Sequence, residues 1–517
     1  MSRVPLPQVA PPAGGGRGGA FVRQPRGPDL LRIPGLRRFL RWRYARLTLQ
    51  LPLLILAVFV IVDGLTGRQL APRNLATTAT WLHYRGLVVV ALAILGNAFC
   101  GACPLMLTRG PANFVKRRLP FELRWPARLR NKWLVAVLLV AVFYAYEAFD
   151  LWASPWLSAW LAIAYFVGAF AIDVLFPAGT FCRYVCPLGN FNFLFASVSP
   201  TQITATDPDV CRSCADKPCL HGRETYADPA RAPGERAFVP LDEVVRPNGE
   251  GSFPGCETNL LVPTMTSNMD CTSCMNCVRA CPYDNVALTV RSPGWELRQA
   301  PWRRRWGLPL IVLGVMMLYW GLLNAVAMIP PFYDLARGLA TLTGSRNEPF
   351  LLALVFAAFT VGGGALSLAA ALASDAAGGA GVHPRRALMR WGYVFVAMGF
   401  GFWAAHYLFH FLTGAASIVP VFEHFFAWRG ADLDPDWALA RWMPSRWMFP
   451  ISAGVSGAYA LLAAYLTVRI ALRDFPGARA AAAMWPMLAF VVILTALQIL
   501  VLAQPMEMRG TLLGPAG

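Results

Sequence analysis

Charge is what this sequence has least of. Asp, Glu, Lys and Arg make up 14% of its 517 residues, about half the roughly 25% of soluble globular chains. Hydrophobic residues reach 56%, which excludes a wholly soluble enzyme. Histidine is nearly missing, with six in all, and cysteine does not occur outside residues 100–281. No phosphate loop, nucleotide-binding glycine motif or catalytic triad is recognisable, so no independent catalytic site is visible. Gly362-Gly363-Gly364 lies inside an apolar run, where small residues permit close helix packing. A cleavable signal peptide is not expected either, since residues 1–46 hold ten Arg and no apolar stretch.

Apolar runs of about 20 residues are present, long enough to cross a hydrocarbon core of roughly 30 Å as helix. They fall near 48–66, 81–99, 133–153 and 159–178, and again near 307–328, 350–373, 391–412, 451–470 and 483–504. Between the two groups lies a polar segment of about a hundred residues. The expected organisation is a disordered basic tail over 1–46, a four-span membrane domain over 47–200, a polar domain over 201–297 and a five-span membrane domain over 298–517.

The net charge of +18 does not call for nucleic acid. Residues 201–297 carry 8 basic and 13 acidic side chains, a balance of −5, so the basic surplus flanks the membrane spans. Basic loops mark the cytoplasmic side of bacterial membrane proteins. The tail, the 109–132 loop, Arg303-Arg304-Arg305, Arg385 with Arg386 and Arg390, and Arg469 with Arg473 and Arg479 therefore lie inside. The amino terminus and the polar domain are expected in the cytoplasm of a bacterial inner-membrane protein.

Twelve cysteines crowd into 182 residues, and tight C-x-x-C spacings suit metal ligation better than a disulfide framework. Cys271, Cys274, Cys277 and Cys281-Pro282 form the run C-x2-C-x2-C-x3-C-P, whose first three thiolates cap one [4Fe–4S] cube while the fourth serves a neighbouring cluster. The upstream partner half is degenerate: Cys211, Cys214 and Cys219, a long polar insert, then Cys256. By analogy with two-cluster ferredoxins, Cys211, Cys214, Cys219 and Cys281 hold one cluster. Cys256, Cys271, Cys274 and Cys277 hold the other. Zinc is the competing metal.

Four more cysteines sit at membrane ends. Cys100-Gly-Ala-Cys103-Pro104 closes the second expected span, and Cys182-Arg-Tyr-Val-Cys186-Pro187 follows the fourth. Both spans run inward, so all four thiols reach one face. They form a third cluster, a redox dithiol pair, or free thiols at helix ends.

Paired membrane-end cysteine motifs followed by a ferredoxin module resemble the membrane polyferredoxin group. That group includes the membrane subunit of the quinol dehydrogenase serving periplasmic nitrate reductase, the regulator-like protein of nitrous-oxide respiration and the oxidase-assembly iron–sulfur proteins. The resemblance covers about residues 80–290. In those families both membrane motifs are typically C-x3-C-P, whereas the first here is C-x2-C-P. The resemblance implies iron–sulfur electron transfer, with a quinone or quinol, a protein donor or acceptor, and a respiratory complex or periplasmic reductase system as partners.

The carboxyl-terminal half carries His406 and His410, four apart on one expected span, and His424 beyond it. Ionisable residues within spans are functional candidates, here for haem b, another metal, or a hydrogen bond to quinone. Satisfied structural histidines are the bland alternative. Glu147, Asp150 and Asp173 near spans three and four are candidate proton carriers, or interfacial acids paired at helix ends.

The expected fold is a polytopic α-helical membrane protein of about nine spans with an inserted small α+β two-cluster ferredoxin-like domain. Its expected function is electron transfer between the quinone pool or a redox partner and [4Fe–4S] clusters. The competing class is a redox-sensing or assembly factor for a respiratory metalloenzyme.

Overall fold

The computed structural model describes residues 24–121, 123–222, 253–301 and 307–506. Apolar, charge-poor runs become helices because hydrocarbon offers no water to backbone N–H and C=O groups, so each segment must satisfy its own. In chain order the principal helices are α1 (Ala45–Thr66), α2 (Leu75–Ile94), α3 (Trp133–Ala148), α4 (Pro155–Leu175), α5 (Pro187–Phe195), α6 (Gly307–Val326), α7 (Glu348–Ala377), α8 (Pro384–Gly414), α9 (Met448–Asp474) and α10 (Ala478–Leu502).

Among the described residues, seven helices are long and apolar enough to cross a membrane: α1, α4 and α6 to α10. An eighth span results only if α2 is joined to Ala98–Lys116, across a bend of 111°. Gly96, at φ +72°, supplies the left-handed residue this bend needs. The third expected span, 133–153, is helical only over 16 residues, about 24 Å at 1.5 Å per residue. It stops because the chain reverses at Asp150, which takes φ +44°. Nine apolar segments are thus present, but they are not nine plain membrane helices.

The centre of the bundle is α8. Trp391, Tyr393, Phe395, Val396, Ala397 and Trp403 on it are completely buried, as expected of a helix apolar on every face. It packs against α6, α9 and α2, which brings the carboxyl-terminal helices against those that carry the first cysteine pair.

The polar segment forms a two-stranded antiparallel sheet, β1 (Thr201–Ala205) on β2 (Val286–Val290), with Thr201 opposite Val290 and Ala205 opposite Val286. Since β1 leads into Cys211 and β2 follows Cys281, this pairing closes the two cysteine runs onto one another. Ile203, Leu260, Val262, Met265, Val278 and Val286 form the small apolar core between them.

Residues 24–46, the described part of the expected basic tail, make defined contacts with the polar segment. Gln24 donates through Nε2 to Val262 O at 2.6 Å and accepts from Ala205 N at 2.5 Å, and Val290 N donates to Pro28 O at 2.8 Å. Arg37 and Arg41 both pair with Asp284. The segment therefore acts as a third edge on the small sheet, satisfying backbone groups that would otherwise be open. The rest of the expected tail, most of the polar insert before Cys256 and the Arg303-Arg304-Arg305 run lie outside the described residues.

Candidate redox site

The eight cysteines of the polar segment line two adjacent spaces. Cys256, Cys271, Cys274 and Cys277 surround one, with Ile203, Leu260, Val262 and Met265. Cys211, Cys214, Cys219 and Cys281 surround the other, with Val262, Pro263, Pro282 and Val286. Val262 lines both. Each space brings together the four cysteines of one expected set.

The backbone around these thiols is shaped for an anionic body. Asp270, Ser273 and Met275 adopt φ of +66°, +52° and +60°. Such turns direct successive N–H groups into one concavity, a device common at phosphate and iron–sulfur sites. Leu260 N donates to Cys256 Sγ at 3.2 Å. Asn285 donates to Cys281 Sγ through its backbone N at 3.4 Å and to Cys211 Sγ through Nδ2 at 3.2 Å. Burial pushes the Cys211 thiol up to about 11 and those of Cys219 and Cys271 up to about 12. Thiolates here require a cation to balance them.

Four thiols around one space are the donor set of an iron–sulfur cube, so the residues present fit that cofactor.

The four membrane-end thiols also meet. Cys100, Cys103, Cys182 and Cys186 line one apolar cavity of about 280 Å³. Leu53, Ala57 and Val60 of α1, Val88 of α2, Leu139 and Phe143 of α3 and Leu161, Ala162 and Tyr165 of α4 wall its membrane part. Tyr407 of α8 contributes from the carboxyl-terminal half, and Thr272 from the polar segment. Thr272 also lines the Cys256–Cys277 space. Three cysteine-lined spaces thus follow one another, sharing Thr272 and then Val262.

Charged groups fasten this series, and sequence reading missed them. Lys132 is fully buried and donates through Nζ to Asp270 Oδ1 at 2.5 Å, Asn190 Oδ1 at 2.7 Å and Arg183 O at 2.7 Å. Arg183 Nε reaches the other Asp270 oxygen at 3.0 Å. Nearby, Glu257 pairs with Arg46 and, at 2.9 Å, with Arg109, which also reaches Asp173 at 3.1 Å. Burial alone would raise the Glu257 carboxyl, but the two guanidiniums outweigh it and hold it below its usual range. The available signals were a lysine opening an apolar run and acids beside Cys256 and Cys271.

The remaining candidates separate. His406 and His410 face each other, Nε2 to Nε2 at 3.2 Å, with Arg85 close enough to act on both electrostatically. His424 is not with them; it packs on Trp428 and Trp437. Asp173 is an ion-pair partner of Arg109, and Glu147 accepts from Asn324 Nδ2 at 2.9 Å.

No family model matches this sequence, and no solved structure does. Two curated proteins are similar to part of it. The ferredoxin-type protein NapH of Escherichia coli K12 is 26% identical over 241 residues, covering 44% of this chain and 74% of that protein. The ferredoxin-type protein NapH of Haemophilus influenzae is 26% identical over 243 residues, covering 44% and 75%. Over a little under half its length, then, this chain is a partial match to the NapH group of ferredoxin-type membrane proteins.

Proposed function

We propose that this protein is a membrane-bound iron–sulfur electron carrier that exchanges electrons between a lipid-soluble quinone pool and two [4Fe–4S] clusters on the cytoplasmic side of a bacterial inner membrane. One cluster takes Cys256, Cys271, Cys274 and Cys277 as ligands, and the other Cys211, Cys214, Cys219 and Cys281. When bound, the clusters supply one-electron carriage. The chain supplies the thiolates, N–H donors to the sulfurs and a water-poor surrounding, the usual means of setting cluster potential.

The observation that carries this reading is the shared lining. Thr272 belongs both to the apolar cavity and to the first cysteine space, and Val262 to both cysteine spaces. A quinone ring in the membrane part of the cavity would be linked to the first cysteine space through Thr272, and that space to the second through Val262. Its walls are apolar and aromatic with few polar groups, the usual character of a small-molecule site. The similarity to ferredoxin-type NapH proteins supports a redox partner in a respiratory system.

The test uses the full chain, purified without oxygen in detergent. Ala162 of α4 lines the cavity's membrane part and none of the cysteine spaces of the polar segment. Ala162→Phe should slow cluster reduction by a soluble quinol analogue by tenfold or more, while reduction by dithionite proceeds as in the parent. Equal quinol rates would remove the cavity from the pathway. Zinc in place of iron in the parent would overturn the electron-carrier reading itself.

A further inference from the structure

We infer that Cys100, Cys103, Cys182 and Cys186 hold a third iron–sulfur cluster, embedded at the membrane boundary. This goes beyond the proposed function, which needs only the cavity and the two clusters of the polar segment.

Convergence is the first argument. The four thiols arrive from two separate stretches, one after the bend at Gly96 and one after α4, yet line one cavity. Cys103 and Cys186 are close enough that each would feel the other's charge, and Cys103 lies within similar reach of Cys182. None is engaged in a disulfide.

The second argument is that each sulfur has a donor or cation directed at it. Gly189 N donates to Cys186 Sγ at 3.2 Å, and Asn192 Nδ2 to Cys100 Sγ at 3.5 Å. The Leu105 N–H serves Cys103, and Arg109 Nη2 stands 3.9 Å from Cys182 Sγ. N–H donors to sulfur are the signature already described around Cys211, Cys256 and Cys281. Neutral thiols at a helix end need no such set; thiolates do. Cys186 also caps the start of α5, ahead of Pro187, where the N-terminal partial charge favours an anion.

A buried hydroxyl supplies the third argument. Tyr165 lines the cavity, and among the described residues its Oη has no acceptor for its proton, a role that a cluster sulfur would fill. Buried polar atoms are rarely left so unless something occupies the site. Four thiols facing one cavity are the ligand set of an iron–sulfur cube.

Iron and acid-labile sulfide in the anaerobic full-length protein should come to about twelve each per chain, three cubes of four. The double variant Cys182→Ser/Cys186→Ser should hold about eight of each, with the electron-spin signals of the other two clusters unchanged. Asn192→Leu, which removes one N–H···S bond but no ligand, should retain all the iron and shift the potential of a single cluster. About eight irons in the parent, or no loss in the double variant, would overturn the inference. Failure of the polar-segment reading alone looks different: iron would total about four and vanish entirely in the double variant.

Discussion

Asp270 stands directly before Cys271, is completely buried, and balances two cations at once, Lys132 and Arg183. Replacing it by Asn isolates the charge, because Asn tolerates the φ of +66° that position 270 adopts. The amide keeps one acceptor oxygen but cannot neutralise Lys132, whose side chain is as fully buried as that of Asp270. Breaking a buried pair in this way costs about 3–5 kcal/mol, since the surviving charge is left uncompensated. At about 1.4 kcal/mol per factor of ten, the loop bearing Cys271 should open from about a hundred to a few thousand times more often. Lys132→Met should cost less, about 1.5–3 kcal/mol, since Asp270 keeps Arg183. The double change Lys132→Met/Asp270→Asn removes the Lys132 charge as well and should recover the part of the loss that belongs to Lys132, leaving the part that belongs to the Arg183 pair. The rate at which an iron chelator strips the clusters, read by visible absorbance, reports that opening. Parental stripping rates in Asp270→Asn would refute the idea that this pair clamps the cluster loop to the membrane helices.

Three further outcomes follow from the geometry. Gly179 adopts φ +85°, and a Cβ there would lie 2.0 Å from Glu257 O; Gly179→Ala should therefore destabilise the junction by several kcal/mol, seen as a lower melting temperature in detergent. Cys281→Ser should disturb the cluster beside Cys211, Cys214 and Cys219 and spare that of Cys271, Cys274 and Cys277, so one electron-spin signal changes and the other persists. A reporter inserted between residues 223 and 252 should be active only if it is a type that works in the cytoplasm; periplasmic activity would reverse the orientation drawn from the basic loops.

How far the sequence could be read depended on the length scale of each signal. The apolar runs and the Cys271–Cys281 spacing are local patterns, and both have counterparts in the fold. The first membrane pair was harder: Cys100 and Cys103 follow a run that reads as one span, but the chain bends through 111° before reaching them, and one glycine at φ +72° is a weak signal. The contacts of residues 24–46 were not legible along the chain, because Gln24, Arg37 and Arg41 find partners more than 180 residues away. The Lys132–Asp270 pair, 138 residues apart, was invisible for the same reason. Charge patterning along a chain says little about which opposite charges meet in three dimensions.

The carboxyl-terminal half, which the similarity to known families leaves unexplained, acquires a role from its packing. Helix α8 contacts α2 directly, and its Trp403 meets Phe143 of α3 and Phe191 of α5 at ring distances of 5.0 and 5.5 Å. Phe191 and Tyr407 both line the cysteine cavity. Arg85 of α2 lies over the rings of Trp81, Tyr146 and Tyr407 at 4.6, 4.1 and 4.9 Å, holding α8 to the cavity wall through a buried cation that aromatic faces attract. Without α8 the cavity would open on the side of Tyr407. Helix α8 is therefore part of the wall of the cysteine cavity. Truncation at residue 300 should leave the polar segment's cysteine sets together, since their apolar core is drawn from residues 31–288, but release the α2–α3 wall. Retention of quinol-driven reduction by such a truncated chain would refute that assignment.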